Sequence, residues 1–130
     1  MSFPFTHAEV FGEDPEALAA FYRAVLGWTV TQAEGVTYWR IAASPADGAQ
    51  PFAGGITHRP ESMPPGWLPY ARVENLEACV ATATRLGATL VREPTAVPRT
   101  GWYAVIADPE GNRFAVFQPD PTAFPVPMPD

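Results

Sequence analysis

One order of elements occurs twice in this 130-residue chain: a strand-like run, a capped helix, then three more strand-like runs. In the first half, residues 5–11 have strand character. Asp14-Pro15-Glu16 then supplies a side-chain acceptor for an N-cap, a proline suited to the first helical turn, and an acid beside the positive end of the helix dipole. Leu18, Phe21, Tyr22 and Val25 recur at spacings of three and four, which predicts one apolar helix face, and Gly27 stands where a left-handed C-cap is needed. Strand-like runs follow at 28–31, 36–42 and 52–57, divided by Glu34-Gly35 and by the turn signal Ser44-Pro45-Ala46-Asp47-Gly48.

The connector Arg59-Pro60-Glu61-Ser62-Met63-Pro64-Pro65-Gly66 suits a loop rather than the interior of an element. The order then repeats. Residues 67–73 read as a strand, and Leu76, Cys79, Val80, Ala83 and Leu86 form a helical stripe from an Asn75 cap to a Gly87 stop. Three more strands are expected at 88–91, 101–107 and 113–118, the last two joined into a hairpin by Asp108-Pro109-Glu110-Gly111-Asn112. Cys79, the single cysteine, has no disulfide partner in the chain and reads as a packing residue. The tail 119–130 alternates prolines with Phe124, Val126 and Met128, which predicts an extended polyproline-like arm without internal hydrogen bonds, either draped across a partner subunit or frayed.

An apolar fraction of 47% with 17% charged residues is that of a globular chain, and at this length one core buries roughly two-thirds of the unfolded surface. One domain over residues 1–118 is expected, with module one at about 5–58 and module two at about 67–118. A net charge of −6 has the wrong sign for phosphate backbones or anionic lipids, so neither nucleic acid nor membrane is expected as a partner. No stretch has the length and apolarity of a bilayer span, and the start lacks the basic and apolar regions of a secretion signal, so the expected location is cytoplasmic.

Three local patterns narrow the field: Phe21-Tyr22 to Val25-Leu26-Gly27-Trp28 closing the first helix, Val73-Glu74-Asn75-Leu76-Glu77 leading to Arg85-Leu86-Gly87-Ala88, and Asp108-Pro109-Glu110-Gly111-Asn112 before alternating apolar residues. In this order, over roughly residues 5–118, they resemble the vicinal oxygen chelate superfamily of glyoxalases, bleomycin-resistance proteins and extradiol dioxygenases. The resemblance implies an α+β fold in which two βαβββ modules form a cupped mixed sheet with the helices on its outer face. It also implies a small-molecule site inside the cup and a homodimer. Its metal-dependent members hold a divalent cation with four side chains. Carried over, those positions fall on His7, on Gly54-Gly55, near Leu68 and on Ala115, of which only His7 has a donor, so no metal and no other cofactor is expected.

Strand alternation then predicts what lines the cup. If His7 points inward, Glu9 and Phe11 do as well. Leu68, Tyr70 and Arg72 do so on the fifth strand, and Arg113, Ala115 and Phe117 on the last. The third strand presents either Tyr38 and Arg40 or Trp39 and Ile41, and the hairpin strand either Trp102, Ala104 and Ile106 or Tyr103, Val105 and Ala107. Tyr38, Arg40 and Trp102 complete the candidate ligand contacts. The bland readings are a satisfied strand histidine at His7, a Glu9 paired with Arg72 or Arg113, and tryptophans that fill cores.

Three functions compete. The first is a metal-free binding protein of the bleomycin-resistance kind, holding an aromatic or antibiotic-like molecule, with an acidic surface suited to a cationic drug. The second is a metal-independent isomerase, cyclase or epimerase with His7 or Glu9 as general base and Tyr70 or Arg72 steadying an oxyanion. The third, a metal-dependent lyase or dioxygenase, needs ligands the sequence lacks.

Overall fold

The computed structural model describes residues 2–45 and 51–124. Its elements run β1 (Phe5–Gly12), α1 (Pro15–Leu26), β2 (Thr29–Gln32), β3 (Tyr38–Ala43), β4 (Phe52–His58), β5 (Gly66–Arg72), α2 (Leu76–Arg85), β6 (Thr89–Val97), β7 (Gly101–Ala107) and β8 (Arg113–Pro119). They form two compact units that divide within β5, one of them Thr6–Leu68 and the other containing everything described from Pro69 onward.

Each unit has the same topology. In the first, the strands lie in the order β2-β3-β4-β1, with β1 parallel to β4 and the other pairs antiparallel. In the second the order is β5-β8-β7-β6, with β5 parallel to β8 and again antiparallel pairs beyond. A parallel pair needs a crossover connection, and the helix together with two intervening strands supplies it in both units.

The helix ends follow the capping residues. Asp14 accepts a hydrogen bond from the Ala17 amide at 3.2 Å and Asn75 one from Ala78 at 3.0 Å. Gly27 adopts φ 67° and donates its amide to the Arg23 carbonyl, a conformation open to glycine because it lacks a Cβ. The first core consists of Val10, Ala19, Val30, Trp39, Ile41 and Ile56, with Leu18, Tyr22, Trp28 and Phe52 packed against it. The Trp39 indole donates to Glu16 of α1 at 2.9 Å and ties β3 to the helix. The second core is Val73, Leu76, Ala104, Ile106 and Val116, closed by Cys79, Val80, Ala83 and Trp102 among others. Burial pushes the Cys79 thiol up, as the packing reading of the sequence requires.

Several expectations are corrected. Phe21 and Val25 of α1 and Leu86 after α2 are exposed rather than packed. The buried stripe of α1 centres on Leu18, Ala19 and Tyr22, because a single small residue at 19 lets the helix sit close to the sheet and leaves position 21 on the flank. The strand expected at 88–91 continues as β6 to Val97, through Pro94 and two register shifts against β7. An edge strand tolerates both, since its outer amides owe no ladder bond. The tail is no free arm where it is described. Asp120 accepts from the Thr122 amide and hydroxyl at 2.9 and 2.6 Å, and the Arg99 amide donates to the Ala123 carbonyl, which buries Ala123. Residues 125–130 lie outside the described residues, as do the last three residues of the Ser44-Pro45-Ala46-Asp47-Gly48 turn.

The expected β7–β8 hairpin is closed by Asp108, whose Oδ1 accepts from the amides of Glu110 at 2.9 Å and Asn112 at 3.0 Å. The Asn112 hydrogen bonds, helped by those of Glu110 and Gly111, hold the Asp108 carboxyl below its ordinary value. Its contribution to stability is therefore complete above the usual carboxylate range and fades as pH falls through the depressed folded value. Asp108→Asn is expected to lower the melting temperature at neutral pH, with the gap to the parent protein closing below roughly pH 4. Thermal melts of the two proteins across pH 3–7 check this.

Candidate functional site

The helix covers one face of each four-stranded sheet and leaves the other open to polar side chains. In the first unit Val10 of β1 enters the core under α1, which sends His7, Glu9 and Phe11 to the helix-free face. Trp39 and Ile41 of β3 are core residues, so Tyr38 and Arg40 share the face of His7 and Glu9. One lateral row runs Arg40, Gly55, Glu9 across β3, β4 and β1.

Gly55 explains the arrangement within that row. A Cβ at this position would collide with the Tyr38 phenol, so the ring lies across the glycine and reaches the neighbouring strand. There the Tyr38 hydroxyl donates to Glu9 Oε2 at 2.8 Å. The same hydroxyl oxygen lies 3.3 Å from His7 Nε2, and Nε2 is 3.7 Å from Glu9 Oε2. With its proton committed to Glu9, the tyrosine oxygen can accept from His7 in the tautomer that carries the proton on Nε2, which then makes a chain from imidazole to phenol to carboxylate. Glu9 and His7 keep 16% and 34% of their side-chain surface exposed, enough to meet a bound molecule.

Burial, then the charge of Glu9 and its hydrogen bond, push the Tyr38 phenol far above its ordinary value, with Arg40 opposing them. Tyr38 is therefore a permanent donor and no base.

In the second unit two lateral rows occupy the helix-free face. Tyr70, Ala115, Val105 and Arg92 run across β5, β8, β7 and β6, and Arg72, Phe117, Tyr103 and Thr95 form the next row. The Tyr70 and Tyr103 rings are 6.2 Å apart and tilted by 45°. The Arg92 guanidinium lies 5.6 Å from the Tyr103 ring centroid. The Phe117 ring lies across Gly101.

Most sequence candidates thus fall on helix-free faces: His7, Glu9, Tyr38 and Arg40 in the first unit, and Tyr70, Arg72, Arg113 and Phe117 in the second. Trp102 does not. It packs with the core under α2 and donates its indole N–H to Asp120 at 3.2 Å, while Tyr103 takes the helix-free side of β7. Phe11, Leu68 and Ala115 are buried. Two residues escaped sequence reasoning. Gly55 drew notice only as a position without a donor, although Gly54-Gly55 inside a strand signals close approach of another group. Arg92 falls beyond the end of the short strand expected there.

The residues do not fit the divalent cation of metal-dependent relatives. At the four implied positions stand His7, a glycine whose side-chain space Tyr38 fills, a buried leucine and a buried alanine. Among the described residues no three His, Cys, Asp or Glu side chains come together as a ligand set.

A model of the glyoxalase-like domain matches residues 9–117, nearly all of both units. The chain belongs to this family. Among curated relatives of this glyoxalase-like chain is CFP32 of Mycobacterium tuberculosis (strain CDC 1551 / Oshkosh), a candidate glyoxylase, 32% identical over 117 residues that make up 87% of this chain and 43% of that protein. The anthracycline biosynthesis protein DnrV of Streptomyces peucetius is 34% identical over 102 residues, 75% of this chain and 35% of its own. The chain thus spans less than half the length of the curated relatives it matches here. Solved structures share the fold. Methylmalonyl-CoA epimerase from Mycobacterium tuberculosis has a TM-score of 0.58 at 19% identity, over 90% of this chain and 88% of that one. The hypothetical protein BH1468 from Bacillus halodurans C-125 has 0.66 at 13% identity, over 95% and 99%.

The packing of Tyr38 over Gly55 has a measurable consequence. Gly55→Ala is expected to destabilise the protein by about 1–3 kcal/mol through overpacking. In a Tyr38→Ala background, where nothing stands over position 55, the same change is expected to cost much less. A double-mutant cycle by denaturant unfolding reads the coupling, and equal costs in the two backgrounds would contradict the contact.

Proposed function

We propose that this glyoxalase-like chain is a small-molecule-binding protein that works without a resident metal and takes a planar aromatic ligand on a helix-free sheet face. The carrying observation is the hydrogen-bonded chain of His7, Tyr38 and Glu9 on such a face. A part-buried, directional polar group can orient a ligand on the face of the first unit, and in the second unit half-buried Tyr70, Tyr103 and Phe117 offer flat apolar contact on that unit's own helix-free face. The likeness to a protein of anthracycline biosynthesis supports a polycyclic ligand, anthracyclines being fused-ring aromatics. The donor set at the implied metal positions supports independence from metal. Protein loaded with Zn²⁺, Mn²⁺ or Fe²⁺ and then dialysed is expected to retain far less than one ion per chain by elemental analysis, and a stoichiometric ion would overturn this part of the proposal.

One observation favours a second reading, a metal-independent isomerase, cyclase or epimerase. Glu9 is held by a donor that never ionises in the working pH range, and a carboxylate so positioned suits proton abstraction. The two readings separate on one pair of variants. A thermal-shift screen of water-soluble polycyclic compounds supplies a ligand first, since binding to the native state raises its melting temperature. In a binder, His7→Ala is expected to weaken affinity by roughly 1–2 kcal/mol, with Glu9→Gln weaker in effect. In an enzyme, Glu9→Gln is expected to lower turnover roughly a hundredfold while ligand affinity changes little.

A further inference from the structure

The chain contains no lysine, so its eight basic residues are all arginines, set against fourteen acids. Arg40, Arg72, Arg92 and Arg113 project from the helix-free faces of the two sheets. Each is placed there by register: Arg40 opposite Gly55, Arg72 opposite Phe117, Arg113 opposite Ala107, and Arg92 opposite Val105 and over Tyr103. Among the described residues, the face of the first unit sets Arg40 in one row with Glu9 across Gly55, while on the second Glu93 falls in the irregular stretch of β6 between its register positions. The protein is strongly acidic, yet the helix-free face of the second unit, with Arg72, Arg92 and Arg113, is basic.

The remaining arginines mostly have structural partners. Arg23 donates to the Val30 carbonyl at 2.6 and 3.2 Å, and Arg59 binds Glu13 at 2.9 Å and the Met63 carbonyl at 3.0 Å. Arg85 sits in the last turn of α2, where its charge meets the negative end of the dipole. Arg40, Arg72 and Arg92 are exposed and, among the described residues, pair with no carboxylate. In the second unit Arg72, Phe117, Tyr103 and Arg92 lie on adjoining strands, so two guanidinium groups flank two aromatic rings across about three strand spacings, roughly 15 Å. Flat rings give a planar molecule stacking area, and the fork of a guanidinium matches a carboxylate with two parallel hydrogen bonds.

We propose that the ligand of this face is a planar aromatic carboxylic acid, its ring laid against Tyr103 and Phe117 and its carboxylate held by Arg72, with Arg92 adding positive potential at the opposite rim. The inference rests on the binding reading given above and names the ligand class for it. It reverses the charge expected of the ligand from net composition. Net charge acts over long range and is screened within about 10 Å, whereas the arginines act at the surface that touches the ligand.

Three probes of one shape and different charge test it by calorimetry on the whole chain: 2-naphthoate, 2-naphthamide and 2-naphthylmethylammonium. The naphthoate is expected to bind about tenfold or more tightly than the amide, with the ammonium weakest, and the preference is expected to shrink in high salt. Arg72→Gln is expected to remove most of the preference for the acid while leaving amide affinity unchanged. Arg72→Lys should restore part of it, and Arg99→Gln, in the turn between β6 and β7, should have no effect. Equal binding of acid and amide, or tighter binding of the ammonium, overturns the anionic class and leaves the binding reading standing. Failure of all three probes to bind overturns both. A preference for the acid that survives Arg72→Gln overturns the placement of the carboxylate.

Discussion

Each unit sets one helix against a four-stranded sheet, and a single helix covers a single face. That constraint divides every strand by parity. Among residues facing away from the helix, some are polar or exposed while others, Phe11, Leu68, Val105 and Ala115, are buried as well. Under the helix the demand is for apolar, closely packed side chains. Val10, Trp39, Ile41 and Ile56 meet it in the first unit, and Ala104, Ile106 and Val116 in the second. The alternate positions are then free to carry His7, Glu9, Tyr38 and the four arginines. The residues proposed to meet a ligand are thus ones that the helix-facing core does not require.

The polar chain of the first unit depends on the same geometry at closer range. Glu9 and Tyr38 stand on β1 and β3, which are not neighbours, since β4 runs between them. A side chain at position 55 would block the approach, and glycine removes it. The strand thereby gives up side-chain packing at Gly55, and the phenol that fills the space satisfies a part-buried carboxylate. An unpaired carboxylate there would carry a desolvation penalty, so hydrogen bond and glycine form one design. The direction of the Tyr38 shift follows, because a phenol packed against a carboxylate loses solvation and gains a repulsive charge if it ionises.

The second unit applies the same rule to a different end. Its small residues Ala115 and Val105 are buried, while Tyr70, Tyr103, Phe117 and the arginines rise around them. Aromatic rings held by strand register lose little further freedom when they meet a ligand, which favours shape-selective contact. Arg92 makes a cation–π contact with Tyr103 from an edge strand that shifts register against β7 on either side of it.

Much of this was legible in the sequence, for local reasons. Asp14 and Asn75 mark the helix starts because capping is a contact over three residues, and Gly27 and Gly87 mark the stops because few other residues adopt their positive φ. The doubled order of elements, the Asp108 turn and the alternation of β1, β5 and β8 follow from patterns of similarly short range. Tertiary structure alone decided the rest. Whether Trp102 or Tyr103 faces the helix turns on a register set by pairing with a distant strand, and alternation by itself is symmetric between the two. The exposure of Phe21 and Val25 depends on how closely Ala19 lets α1 approach its sheet, and the length of β6 depends on its place at an edge. The contact of Tyr38 with Glu9 across Gly55 joins residues 29 apart in the chain, and only the stacking of three strands brings them within a hydrogen bond.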